Sequence, residues 1–244
     1  MSGARIKPPR RGFSSWTVVG EPTLEQLSER LWLVRGHLPR MPLGRIMVVV
    51  RMADDRLLVH SPVALPEDLV ARLDRWGELA YIVVPNRFHR LDARPFVDRY
   101  PEAQVVAPAG ARTRVEEVVP VQLTYDEFSG DAVVSLEHAD GLASYEGVMR
   151  VRDEAGTTLV FTDLLFNLDH QPGLFGLLFR MLGSTGGPRV TRLFRSIALK
   201  DKEALRAFLL RQAAIEGLVR IVPGHGQVIT EAPGSVLAGV AERL

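Results

Sequence analysis

The sequence predicts an α/β fold in which helices cover the outer faces of sheets, and three observations predict it. Short runs of β-branched and bulky apolar residues recur along the chain, from LWLV (31–34) to LVRIVP (218–223). Segments with helical start and stop signals alternate loosely with these runs. No repeat, low-complexity tract or linker interrupts them, so residues 21–244 read as one domain behind a flexible arm over residues 1–20.

The elements follow in order. LWLV (31–34) is a strand, and RIMVVVR (45–51) and RLLVH (56–60) form a hairpin across the polar ADD (53–55). LPEDLVARLDRWG (65–77) is a helix, with Pro66 early, acids after it and Gly77 at its end; Leu69, Leu73 and Trp76 share a face. LAYIVV (79–84), closed by Pro85, is a buried strand. ARPFVDRYP is a short helix and AQVVAP a further strand. VVPVQL, AVVSL, GVMRVRD and TTLVFT supply strands between 118 and 162, the last two joined by an EAG turn. Residues 166–190 are rich in Gly and Phe and lack a clean period. Residues 201–217 form a helix that Asp201 caps and Gly217 ends, with Ala204, Leu205, Phe208 and Leu209 facing inward. LVRIVP is the last strand, and SVLAGVAERL a terminal helix.

Composition excludes several functions. Thirty basic residues against 29 acidic ones leave no overall field for nucleic acid or an anionic membrane. The absence of cysteine removes disulfides, thiolate nucleophiles and cysteine zinc sites, and suits a cytoplasmic protein. The basic N-terminus lacks the apolar core of a secretory signal, and GLFGLLFRMLG (173–183) is too short to span a bilayer. There is no G-x-S-x-G elbow, and Ser61 sits beside His60 on a strand, where neighbours face opposite ways. GSTGGPR (183–189) lacks the Lys-Ser/Thr ending of a phosphate loop.

The histidines carry more. His60, His89 and His225 each stand at or just beyond the end of an apolar strand, as does Asp163 in LVFTDLLF. Sites collect beyond strand ends in sheets covered by helices, so these four side chains are candidate metal ligands. Asp163 and His225 are the candidate catalytic pair. His225 lies between two glycines in IVPGHGQVI (221–229), which permit close approach of other groups.

The order of these features resembles the metallo-β-lactamase superfamily over residues 28–244. AYIVVPNRFHRLDA (80–93) stands where that family has its H-x-H-x-D-H loop, LVFTDLLF resembles its GDLLF strand, and RIVPGHGQVI its closing PGHG. The resemblance implies a four-layered αββα sandwich. By this likeness Asp163 and His225 are metal ligands. The other family ligands do not carry over: Asn86, Phe88, Arg90 and Leu91 take the loop positions, and DGLASYEG (140–147) replaces a G-H-T-P-G segment. Two functional readings follow. In one, His89, Asp163 and His225, with His60, hold a single zinc, iron or manganese ion that serves hydrolysis of an ester, amide or related bond in a small molecule. In the other, the metal site has decayed and the fold is a binding module without metal. The apolar LFGLLFRML stretch suggests an apolar ligand or a homodimer contact.

Overall fold

A computed structural model describes residues 12–39 and 41–244. The chain forms two compact units. One comprises the described residues up to Ala107 with Arg112–Leu123, the other Pro108–Ala111 with Thr124–Leu244.

The first unit is built on a seven-stranded sheet whose strands lie in chain order: β1 (Thr23–Gln26), β2 (Leu31–Leu38), β3 (Met41–Arg51), β4 (Leu57–His60), β5 (Leu79–Val83), β6 (Gln104–Ala107) and, at its edge, β7 (Leu123–Thr124). The first four run antiparallel; β4, β5 and β6 are parallel, joined through helices α1 (Glu67–Trp76) and α2 (Ala93–Arg99). A helical turn, α3 (Arg112–Val115), precedes β7. The anticipated hairpin pairs Val50 with Leu58. Val48, Val49 and Val50 are all fully buried, because a central strand with both faces covered loses the alternation of a half-exposed one. On α1 it is Val70 and Leu73 that are buried, while Trp76 stacks flat on Trp32 at 3.9 Å. Of the arm expected over residues 1–20, residues 1–11 lie outside the described residues. Phe13 is buried and donates its backbone N–H to the Leu91 carbonyl, and Trp16 Nε1 donates to the Leu65 carbonyl.

The second unit holds two sheets. The larger, in the order β13-β10-β9-β8, uses β8 (Val134–His138), β9 (Gly147–Asp153), β10 (Gly156–Val160) and β13 (Leu218–Val222). The smaller, β12-β11-β14, uses β11 (Phe166–Leu168), β12 (Gly187–Arg189) and β14 (His225–Gly226). Helices α4 (Gly173–Met181), α5 (Arg192–Ala198), α6 (Lys202–Ala213) and α7 (Pro233–Glu242) complete it. Phe161, Leu164, Leu165, Leu205, Phe208 and Leu237 belong to one buried cluster. Asp201 caps α6 as expected, accepting from the Ala204 N–H at 3.0 Å. The strand expected over 118–123 is largely loop, and only Leu123 enters a strand. Conversely, 166–190 carries more regular structure than its composition suggested, in β11, α4 and β12. Among the described residues, no helix is long and apolar enough to cross a membrane.

Candidate metal centre

In the second unit, β10 and β13 run parallel and end at matching positions, Val160 and Val222. Each strand delivers a polar residue three positions on. After β10, Phe161, Leu164 and Leu165 are buried and pin the turn that carries Asp163. The Leu164 N–H donates to Oε1 of the buried Glu146 at 2.7 Å, which fixes the backbone next to Asp163. After β13, the Pro223-Gly224-His225-Gly226 turn presses against this segment. A Cβ on Gly224 would stand 2.4 Å from the Thr162 carbonyl oxygen, and one on Gly226, where φ is +100°, 1.8 Å from that of Asn167. Both glycines are therefore required by backbone-to-backbone approach. His225 pairs with Phe166 in the small sheet, and their rings lie 4.5 Å apart. The result sets His225 Nε2 3.4 Å from Asp163 Oδ1, with both side chains largely buried.

The first unit has a polar group of its own. β4 ends at His60, which is 2% exposed, and the next residue, Ser61, takes a left-handed conformation with φ +59°. That turn brings Ser61 Oγ to 2.7 Å from His89 Nδ1. His89 lies in the loop after β5. Asn86 Oδ1 shapes this loop by accepting from the backbone N–H groups of Phe88 and His89 at 2.8 and 3.0 Å. Burial, and after it the neighbouring His89, pull the His60 imidazole down to about 3, so His60 is neutral near neutral pH. Asp92 is fully buried and paired with Arg45. Burial pushes its carboxyl up, against the opposing pull of Arg45.

The donor chemistry fits a small divalent ion. Ligand bonds of about 2.1 Å in a tetrahedron place neighbouring donor atoms roughly 3.4 Å apart, which is the Asp163–His225 separation. A ligating imidazole has its second ring nitrogen held by an outer partner, as Ser61 holds Nδ1 of His89. Sequence reasoning set Ser61 aside as a neighbour of His60; its partner is a histidine 28 positions on. It also missed Glu146, whose stretch stood out only for lacking a family histidine. No periodicity signals that a carboxylate at the start of an apolar strand turns inward.

Residues 42–129 match a family described as a domain of unknown function (DUF4336). No curated protein matches the chain in sequence. Among solved structures, the DIM-1 metallo-β-lactamase exposed to ceftazidime aligns over 93% of this chain and 99% of its own, with TM-score 0.60 and 16% identity. TMB-1 aligns over 92% and 99% at TM-score 0.62 and 13% identity. The metallo-β-lactamase from Pontibacter korlensis aligns over 92% and 100% at 0.61 and 12%. The chain has the metallo-β-lactamase fold, as its motif order led us to expect. Identities of 12–16% carry the fold and leave the activity to the site.

Proposed function

We propose that the protein is a metal-dependent hydrolase with a single-ion site, acting on an ester, amide or related bond of a small molecule. The observation that carries this reading is the Asp163–His225 pair at 3.4 Å, held at adjacent strand ends by glycines that nothing else could replace. Asp163 and His225 are the ligands this geometry supports, and His89 is proposed as the third on the sequence pattern of polar residues beyond apolar strands. Ser61 fixes the His89 ring, so that an ion is taken through Nε2. His60, buried and neutral, feels the charge of His89, and we assign it a role in positioning that ring. Zinc, iron and manganese all suit a set of two imidazoles and one carboxylate. When bound, such an ion supplies Lewis acidity toward a carbonyl and makes hydroxide available near neutral pH. The protein's own part is to hold the Asp163 carboxylate and the His225 imidazole at matching strand ends, with both side chains largely buried.

One observation favours a second reading, a binding module that has lost its metal. All four residues at the family's loop-ligand positions are unsuited to ligation or occupied elsewhere, Leu91 for want of any donor atom. Phe88 has no donor atom, Asn86 caps the backbone, and Arg90 pairs with Glu117. Metal analysis of untagged protein separates the two readings. The hydrolase reading expects about one ion per chain, lost in His225→Ala; chelator lowers the melting temperature of the wild type through linkage, and the variant melts near chelator-treated wild type and does not respond to chelator. Wild-type protein that purifies metal-free and melts alike with and without zinc overturns it.

A further inference from the structure

The most unusual surface of the second unit is helix α4. Five of its nine residues are large, apolar and exposed: Leu174, Phe175, Leu177, Leu178 and Met181, with Leu174 at 83% and Met181 at 67%. Only Gly176 and Phe179 are buried. Gly176 is what seats the helix, since a Cβ there would collide with the Gln171 carbonyl. Phe179 is its single anchor in the interior. Soluble surfaces scatter such side chains singly; a cluster on one short helix marks a contact surface. Helix α5 adds Leu193 and Ile197, also exposed.

The sequence of this segment is basic, between Asp169 and Asp201. From Gln171 to Lys200 the sequence contains no aspartate or glutamate, but it contains Arg180, Arg189, Arg192, Arg195 and Lys200. Arg180 lies on α4 itself. Arg192 opens α5 with its side chain beside Gly183, just past the end of α4. The balanced charge of the whole chain therefore conceals a local segment of five cations.

We propose that α4, with the cations of 180–200, docks the protein onto an anionic lipid surface. Apolar side chains on one short helix, flanked by arginines, are the composition of an element that lies in the headgroup region rather than crossing it. Clustered cations add attraction to an anionic leaflet. Charge complementarity selects lipid over a second copy of this chain. A two-fold interface would bring the same basic segment against itself, Arg180 of α4 and Arg192 of α5 included, with no acid in either helix to offset them. The proposal is independent of the metal site.

The test is co-sedimentation of the full chain with vesicles of phosphatidylcholine alone and of phosphatidylcholine mixed with phosphatidylglycerol. Wild type should bind the mixed vesicles and bind the neutral ones much more weakly, with affinity falling as salt is raised. The double variant Leu174→Ser, Leu177→Ser should lose about tenfold or more in partitioning. Arg192→Glu with Arg195→Glu should remove the preference for the anionic lipid. Both pairs are surface changes, so unchanged melting curves confirm that each variant folds. Equal binding by wild type and the serine variant overturns the proposal. So does an absence of vesicle binding, and if sedimentation then shows a dimer that the serine variant breaks, the face belongs to a second copy.

Discussion

Two loops beyond strands carry the candidate residues, one in each unit, and they are held in different ways. The 221–229 loop is fixed by backbone pressed on backbone: Gly224 on Thr162, Gly226 on Asn167, and the Gly224 N–H on the Leu165 carbonyl. The 86–92 loop is fixed by side chains. Asn86 gathers two backbone N–H groups, Ser61 grips His89, and the buried Asp92 pairs with Arg45. Backbone contact demands glycine, and glycine is visible in a sequence. Side-chain contact accepts many residues, and its partners lie far away in the chain. Fixation by side chains predicts that the 86–92 loop tolerates fewer losses of charge, and fixation by backbone predicts that 221–229 tolerates no added carbon.

The largest effect is expected at Asp92. Asp92→Ala leaves the Arg45 guanidinium, 7% exposed, without its carboxylate. A buried charge stripped of its partner costs about 3–5 kcal/mol. Urea denaturation measures it. A loss below about 1 kcal/mol would show that water reaches Arg45, and that the loop does not depend on this pair.

Gly226→Ala tests the other loop. The φ of +100° alone costs an alanine roughly 1–3 kcal/mol, and the contact with the Asn167 carbonyl adds to it. The variant should melt lower and give up any bound metal together with the position of His225. An alanine variant as stable as wild type would break the account of backbone fixation.

This contrast also explains what the sequence disclosed. The β3–β4 hairpin, the β9–β10 hairpin, α6 with its Asp201 cap and the PGHG turn were legible, because each rests on local periodicity or on a turn residue with one physical meaning. The closeness of Asp163 and His225 was legible with them. Helices α4 and α5 were not, since α4 is apolar nearly all round and shows no buried stripe. Ser61 and Glu146 were not, because their roles exist only after β4 meets the loop past β5 and β9 precedes the Asp163 turn. Their partners are 28 and 18 residues away.

Support behind Asp163 can be probed by alkaline pH. Tyr125 is buried, and its hydroxyl has no hydrogen-bond partner among the described residues. Burial, and then the Glu146 charge, push its phenol well above the usual 10. The unfolded chain therefore loses this proton first as pH rises. Stability should fall above pH 10, by up to about 1.4 kcal/mol per pH unit, until the folded-state value is reached. Tyr125→Phe should remove that decline and cost little at neutral pH, since no hydrogen bond is lost. An equal alkaline slope in both proteins would remove Tyr125 from the support of this turn.

The smallest change in stability, and the most informative about the 86–92 loop, is expected at Ser61. Its φ of +59° strains any residue with a Cβ, by about 1 kcal/mol or more, and glycine escapes that strain. Glycine also loses more chain entropy on folding, by about 0.5–1 kcal/mol, so the two effects nearly cancel in Ser61→Gly. Its stability should lie within roughly 0.5 kcal/mol of wild type. Ser61→Ala keeps the strain and loses the hydrogen bond to His89, so it should fall about 1 kcal/mol below the glycine variant. Both variants release the His89 ring from its 2.7 Å partner. Loss of an outer partner of this kind weakens metal binding by about 10- to 100-fold. Competition titration with a chelating dye reads that loss apart from stability. Two variants that differ in melting temperature yet share one weakened affinity would assign Ser61 to the orientation of His89. Wild-type affinity in both would mean that the serine only fills the strand end, and that the 86–92 loop positions His89 through Asn86 alone.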